Sequence, residues 1–325
     1  MDVISLFSGC GGLDLGFKQA GFNIVWANEF DRHIHETFET NFPETFLDKR
    51  SIRDIPSENI PDCIGMIGGP PCQSWSEAGS LRGIEDERGQ LFYEFIRVLR
   101  AKKPLFFLAE NVEGMLAPRH AEALENIKDL FRKSGYNLSF KLLNAKDYGV
   151  PQDRKRVFFI GYREDLNMTF EFPEPIKERE TLFDAIYDIR TLAVPQGCPE
   201  KYPNHSYHTG GFSSIYMSRN RVRAWHEPAF TVQASARHTA IHPDSPKMIK
   251  VDRDMFDFAN EDYRRLTVRE CARIQTFPDS FKFLYKDINT GYKMIGNAVP
   301  VKLAKVLASK IQEDIKVLEE DKCLQ

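Results

Sequence analysis

One cysteine is set apart by its neighbours. Gly68-Gly69-Pro70-Pro71-Cys72-Gln73-Ser74-Trp75-Ser76 follows a short apolar run, and its two prolines fix φ and remove two N–H donors, which gives a stiff base that aims Cys72. A thiol of ordinary pKa near ~8.5 is only a few per cent thiolate at neutral pH, yet it is a strong nucleophile once activated. A buried, inert cysteine is the alternative. Glu110, in Ala109-Glu110-Asn111-Val112, stands beside apolar Phe107 and Leu108, which suits a carboxylic acid of raised pKa able to give up a proton. Capping the following helix is its other reading. Arg154 and Arg156, two apart on entering a strand, project to one face, where a guanidinium can hold an oxygen or a phosphate, or form an ordinary exposed ion pair.

A second constellation opens the chain. Phe7-Ser8-Gly9-Cys10-Gly11-Gly12 leaves a strand and starts a helix, so its backbone N–H groups can approach a ligand closely. Such turns serve nicotinamide, flavin and nucleoside ligands alike, or pack without a ligand. Glu29, at the end of the next strand, is placed to accept hydrogen bonds from two ribose hydroxyls, or to be a solvated loop carboxylate. Further on, Arg219, Arg221 and Arg223 alternate on one face if extended, and Arg237 follows. Arginine can read guanine bidentately or hold phosphate without sequence preference.

These residues need a scaffold that brings them together. From residue 2 to about 161, short apolar runs alternate with amphipathic stretches, the pattern of an α/β, doubly wound sheet flanked by helices. Strands are expected near 3–7, 23–28, 45–48, 63–67, 105–109, 138–144 and 156–161, with helices over 13–20, 32–41, 89–101 and 121–133. Parallel strands would direct residues 7, 28, 67 and 109 to one sheet edge, where ligands bind. After Arg163 prolines and irregular polar stretches take over, with β-like runs at 213–217 and 230–232. A helix led by the capping box Thr267–Glu270 follows, then another from 298 to about 315 and a frayed tail. Three segments result: a first domain that carries both constellations (1–164), a smaller, loop-rich domain that carries the alternating arginines (165–262), and a C-terminal helical segment (263–325). The loop from Ser74 to Gly89, with Gly79, Gly83 and Gly89 as hinges, suits a closing lid.

Composition narrows the classes further. In 325 residues, 44 Lys and Arg meet 47 Asp and Glu, a net charge of -3 that argues against a globally basic nucleic-acid binder. Residues 201–240 nevertheless hold five cations against one anion, with four histidines, so a local basic surface is expected. Six cysteines without a CxxC pair or zinc-ligand spacing predict reduced thiols and no metal. No apolar stretch approaches the roughly 20 residues of a membrane span and no basic leader opens the chain, so a cytoplasmic protein is expected.

Taken in order, FSGCGG (7–12), Glu29, GGPPCQSWS (68–76), GQLF (89–92), AENV (109–112), QDRKR (152–156), RRLTVRECARIQTFPD (264–279) and GYKMIGNAVP (291–300) make the chain resemble the cytosine carbon-5 DNA methyltransferases, closely their GGCC-specific, HaeIII-type branch. The resemblance spans nearly the whole chain. It implies a bacterial, S-adenosylmethionine-dependent enzyme of Rossmann-like, mixed-sheet fold that methylates the inner cytosine of GGCC after flipping it from the duplex. It implies Cys72 as nucleophile, Glu110 as acid at ring nitrogen 3, and Arg154 and Arg156 holding the flipped base. Phe7 would stack on the cofactor adenine and Glu29 bind its ribose, while Asn297 and Val299 complete the methionine pocket. Ser8, Gly9, Gly11, Gly12, Leu13, Phe30, Ile52, Gly69, Pro71 and Leu91 would line the same site. Where the family places an aspartate for the adenine amino group this sequence has Ser51, so either Ser51 or Asp48 makes that contact. Gln73, Ser76, Arg82, Arg219, Arg221, Arg223 and Arg237 would meet DNA. A monomer acting independently of a cognate restriction endonuclease completes the expectation. A tRNA methyltransferase of the same chemistry, a non-catalytic DNA-binding regulator and a nicotinamide oxidoreductase are the competing readings.

Overall fold

The computed structural model describes residues 1–71, 87–212, 216–258 and 262–323; Cys72, Gln73, Ser76 and Arg82 lie outside the described residues. Eight strands and four helices build the first half: β1 (Asp2–Leu6), α1 (Gly12–Gln19), β2 (Asn23–Asn28), α2 (His35–Asn41), β3 (Phe46–Asp48), β4 (Gly65–Gly68), α3 (Glu87–Lys102), β5 (Phe106–Val112), α4 (Ala121–Arg132), β6 (Tyr136–Asn144), β7 (Gln152–Asp153) and β8 (Lys155–Arg163). Seven of these strands form one sheet in the order β3-β2-β1-β4-β5-β8-β6. From β3 to β5 every pairing is parallel, whereas β8 runs antiparallel to both β5 and β6. The mixed α/β sheet expected from the sequence is therefore present. α3 starts at Glu87, so Gly89, expected as a hinge, is already helical.

Val3, Ile4, Leu6, Met66, Ile67, Phe106, Phe107 and Leu108 are all fully buried. Helices cover both sheet faces, which is why these strands read as unbroken apolar runs. Val3, Phe106 and Leu108 pack with Leu13 and Phe17 of α1, while Ile4, Met66 and Phe107 pack with α3 and α4 on the other face. Phe107 stacks on Phe131 at 4.3 Å, an aromatic pair whose burial contributes roughly 2–3 kcal/mol per ring.

Register decides where chemistry can gather. Leu6 pairs with Asn28 and with Gly68, and Gly68 pairs with Ala109, so the carboxyl ends of β1, β2, β4 and β5 finish level. Phe7, Glu29, Gly69 and Glu110 therefore emerge along one edge, as parallel topology requires.

Beyond Arg163 the elements are short: α5 (Leu182–Ile186), β9 (Val194–Pro195), β10 (Ser206–Tyr207), β11 (Ala229–Phe230), β12 (Ile249–Asp252) and β13 (Met255–Asp257). Tyr216, Val222, Ile241, Met248 and Phe258 make a small separate core there. The β-like run expected at 213–217 is not a strand where it is described, since Tyr216–Ser218 forms a 3-10 turn. Residues of α5, with Ala229 and Val232, pack instead against the helices that follow.

Those helices are α6 (Val268–Ile274), α7 (Ile288–Asn297) and α8 (Val301–Cys323). The expected capping box forms: Thr267 Oγ1 accepts from the Glu270 N–H at 3.0 Å, and Glu270 Oε2 accepts from the Thr267 N–H at 2.8 Å. α8 runs past the expected end near 315, because 316–323 contains no glycine or proline to stop it. It lies on α1, where Gly16 lets the helices approach so closely that any Cβ would overlap Ala304. No described helix is long and apolar enough to cross a membrane.

Candidate active site

A cleft of about 670 Å³ opens at the level carboxyl edge of the sheet. Its first wall is the turn after β1. Phe7 has φ 55°, a left-handed conformation that costs a non-glycine residue about 1 kcal/mol or more, and Gly9 and Gly11 continue it at 56° and 89°. This winding aims the Gly9 N–H at Glu29 Oε2 (2.8 Å), while the Asp31 N–H reaches Glu29 Oε1 at 2.7 Å. Each carboxylate oxygen keeps a lone pair for a ligand hydroxyl. Burial raises the Glu29 carboxyl, and the two backbone donors offset part of that rise. Gly12 permits the closest approach in the wall: a Cβ there would stand 2.5 Å from the Val299 carbonyl oxygen.

Fourteen of the expected cofactor residues line this one cleft: Phe7, Ser8, Gly9, Gly12, Leu13, Glu29, Phe30, Ser51, Ile52, Gly69, Pro71, Leu91, Asn297 and Val299. Gly11 does not line it; it turns behind the wall against Phe42. Between the two candidates for adenine, Ser51 lines the cleft. Asp48 is buried beside it and accepts both Nε (3.0 Å) and Nη2 (2.6 Å) of Arg50, whose guanidinium holds the carboxyl below its ordinary value.

Glu110 also lines the cleft, at the end of β5. Its Oε1 accepts from Arg156 Nε at 2.9 Å. Burial lifts its carboxyl above the usual glutamate value, and the charges of Arg156 and Arg154 draw it partly back. Gly69, whose Cβ would sit 3.5 Å from Glu110 Oε2, leaves room for that carboxyl. Asn111, a residue the sequence reading assigned no role, ties the proline loop to β5 by donating to the Pro70 carbonyl at 3.1 Å. Pro71, the last described residue before Cys72, lines the cleft next to these groups.

Arg154 corrects the expectation that both arginines serve one face. The strand is interrupted at Arg154, since β7 ends at Asp153 and β8 begins at Lys155, so the two-residue period does not carry across. Arg154 is buried and donates to the carbonyls of Val232 (3.2 Å), Gly296 (2.9 Å) and Ala298 (3.0 Å). Beside it Gln152 Nε2 donates to Gln275 Oε1, and Gln275 Nε2 donates to the carbonyls of Ile295 and Ala298. This buried network locks the Asn297–Val299 wall to the sheet. It was not legible in sequence, where each of its polar residues reads as surface.

A separate cavity of about 220 Å³ is lined by Arg219, Arg221 and Arg223, with Phe230, Gln233 and His238. The three arginines thus share a surface. Arg221 donates to the Tyr216 carbonyl at 2.8 Å and lies over its ring; Arg223 pairs with Glu227 at 2.9 Å and lies over Phe230. Arg237 sits outside this lining, on the 3-10 turn Ala236–His238.

A family model described as C-5 cytosine-specific DNA methylase matches residues 1–313. The chain is 56% identical over 328 residues to the Type II methyltransferase M.FnuDI of Fusobacterium nucleatum, covering 97% of this chain and 95% of that one. It is 54% identical to M.NgoPII of Neisseria gonorrhoeae, over 97% and 96% of the two chains. Among solved structures, a prophage-encoded DNA modification methyltransferase from E. coli aligns with a TM-score of 0.74 at 24% identity, covering 97% and 99% of the two chains. DNMT2 of Spodoptera frugiperda aligns at 0.70 and 19% identity, over 98% and 99%. At such identities these structures speak for the fold alone.

Proposed function

Because the chain belongs to the C-5 cytosine-specific DNA methylase family, and is therefore a DNA (cytosine-5-)-methyltransferase, we propose that it methylates the inner cytosine of GGCC in duplex DNA. S-adenosylmethionine is the methyl donor, Cys72 forms a covalent adduct, and the target base is turned out of the helix. Modification would protect DNA within a restriction-modification system, in keeping with its Type II relatives. The observation that carries this reading is the Glu110–Arg156 pair in a cleft that is also lined by Pro71, the residue before Cys72 in the sequence.

The cleft suits the donor. Glu29 offers two acceptors to a ribose, Phe7 and Ile52 offer apolar faces to an adenine, and Gly9 leaves open space where a side chain would intrude. When bound, S-adenosylmethionine supplies an electrophilic methyl group. Cytosine carbon 5 is too weak a nucleophile to take it unaided. Addition of the Cys72 thiolate to carbon 6 makes carbon 5 nucleophilic while Glu110 gives a proton to ring nitrogen 3. Carbon 5 then takes the methyl as the methyl–sulfonium bond of the donor breaks to leave the thioether; the carbon 5 proton passes to solvent water, the bond between carbon 6 and sulfur breaks to return the thiolate, and ring nitrogen 3 gives its proton back to Glu110. Arg156 orients the Glu110 carboxyl, and its remaining donors serve the base oxygen. Arg154 acts through the Asn297–Val299 wall.

A base inside the duplex hides carbons 5 and 6, so extrusion is required. The segment 165–262 reads the target. Its Arg219, Arg221 and Arg223 surface matches guanine O6 and N7, with Arg237 beside it and Gln73, Ser76 and Arg82 contributing from the loop after Cys72.

Incubation with labelled S-adenosylmethionine and GGCC duplex, GGCC-free duplex or tRNA tests the reading. Label is expected in the GGCC duplex alone; label in tRNA, or equal label in both duplexes, sinks it. A GGCC duplex carrying 5-fluorocytosine at the target should become covalently attached, since the proton that must leave carbon 5 is missing. Cys72→Ser should abolish that attachment.

A further inference from the structure

Among the described residues, three buried oxygens in the cleft wall lack a well-formed hydrogen bond. Asp14, in the first turn of α1, and Ser5, on β1, are both fully buried and both line the cleft. The Ser5 hydroxyl faces the Asp14 carboxyl and draws it down a little, but neither carboxylate oxygen nor Ser5 Oγ makes a well-formed hydrogen bond among the described residues. A buried carboxylate without partners is costly, and it persists where something completes it. Among the described residues no cation acts on Asp14: Glu29, the charged group acting on it, is another anion, and burial keeps the nearby Cys10 thiol neutral. Arg53 and Lys293 line the cleft too, but neither is among the charges acting on Asp14, and Lys293 is held by Asp31 at 2.8 Å. Burial accordingly drives the Asp14 carboxyl up to about 7.

We propose that Asp14, assisted by Ser5, binds the ammonium group of the methyl donor's amino-acid tail. The assignment rests on S-adenosylmethionine being the donor. Three acceptors stand open, and a primary ammonium carries three N–H donors. A sulfonium has the same charge but no N–H, and would leave all three unfilled. Location agrees, because Gly12, in the same turn as Asp14, meets the Val299 carbonyl and so sets Asp14 at the Asn297–Val299 end of the cleft. Glu29, by contrast, has both oxygens directed by backbone N–H groups. The cleft thus carries two carboxylates with separate tasks, Glu29 for the sugar and Asp14 for the amine.

Calorimetric binding at pH 8 to the full chain, with S-adenosylmethionine, its deamino analogue and 5′-methylthioadenosine, separates the outcomes. Asp14→Asn should weaken S-adenosylmethionine by about tenfold or more and leave 5′-methylthioadenosine unchanged, which also shows that the variant is folded. The deamino analogue should bind wild type and Asp14→Asn alike. Ser5→Ala should give a smaller loss confined to the amine-bearing ligand. Full affinity of Asp14→Asn for S-adenosylmethionine, or an equal loss for all three ligands, overturns the assignment alone. If wild type binds GGCC duplex but none of the three ligands, the donor reading falls and this assignment falls with it.

Discussion

Glu110 and Asp14 are both carboxyls raised by burial, and they differ in what answers them. Arg156 bonds Glu110 directly, so Arg156→Gln should let Glu110 keep its proton to higher pH. Infrared difference titration against Glu110→Gln would locate the midpoint, and an unmoved midpoint would mean that Arg156 does not govern it. For Asp14, folding carries the carboxyl from an ordinary value near ~3.9 up to about 7. Between those values the folded protein holds a proton that the unfolded chain has released, so this group's contribution to stability falls as pH rises from about 4 to about 7. Asp14→Asn should therefore raise the unfolding free energy of the ligand-free protein at pH 8, by roughly a few kcal/mol, and change it little at pH 4, as read in urea unfolding at the two pH values. A gain of equal size at both pH values would contradict the burial argument. That Glu110 and Glu29 meet in one cleft was readable in sequence because each stands at the carboxyl end of a strand written as an apolar run. Asp14 was not, since an aspartate in a helix's first turn reads as an ordinary favourable charge at the N-terminus.

At the scale of elements, β7 and β8 show why a two-residue period misleads when a strand is interrupted. Arg154 left the face it was expected to share with Arg156 and became a brace across three carbonyls. Lysine cannot reach three acceptors in that planar arrangement. Arg154→Lys should cost about 2–4 kcal/mol in urea unfolding and weaken methyl-donor binding; an unchanged unfolding midpoint would refute the bracing role. The sheet was legible because burial on both faces writes each strand as an apolar run. The small core of Tyr216, Val222 and Ile241 was not, because its strands are only two to four residues long and its shape rests on side-chain bonds. The arginine strip nevertheless converged on one cavity. Arg221→Ala is expected to relax sequence choice more than donor binding, read as methylation of GGCC against single-base variants. Equal weakening on every DNA would reduce the strip to phosphate contacts.

For the whole molecule, the cleft at the sheet edge is assembled from both ends of the sequence. Phe7 to Leu13 make one wall and Asn297 to Val299 the other, and α8 covers α1. A fragment of residues 1–164 would leave Leu13 and Phe17 without Leu303, Leu307 and Ile311. It should bind no S-adenosylmethionine by itself, and co-expression with residues 165–325 should restore binding; a fragment that binds alone would show that the second wall is dispensable. The close seat of Gly16 against Ala304 also gives the enzyme a temporal property. A chain emerging from the ribosome makes the Phe7–Leu13 wall early and the Asn297–Val299 wall late, so a copy terminated before Asn297 lacks one side of the cleft. The cleft is then complete only when nearly the whole sequence has been made, in one chain or in two that reassemble.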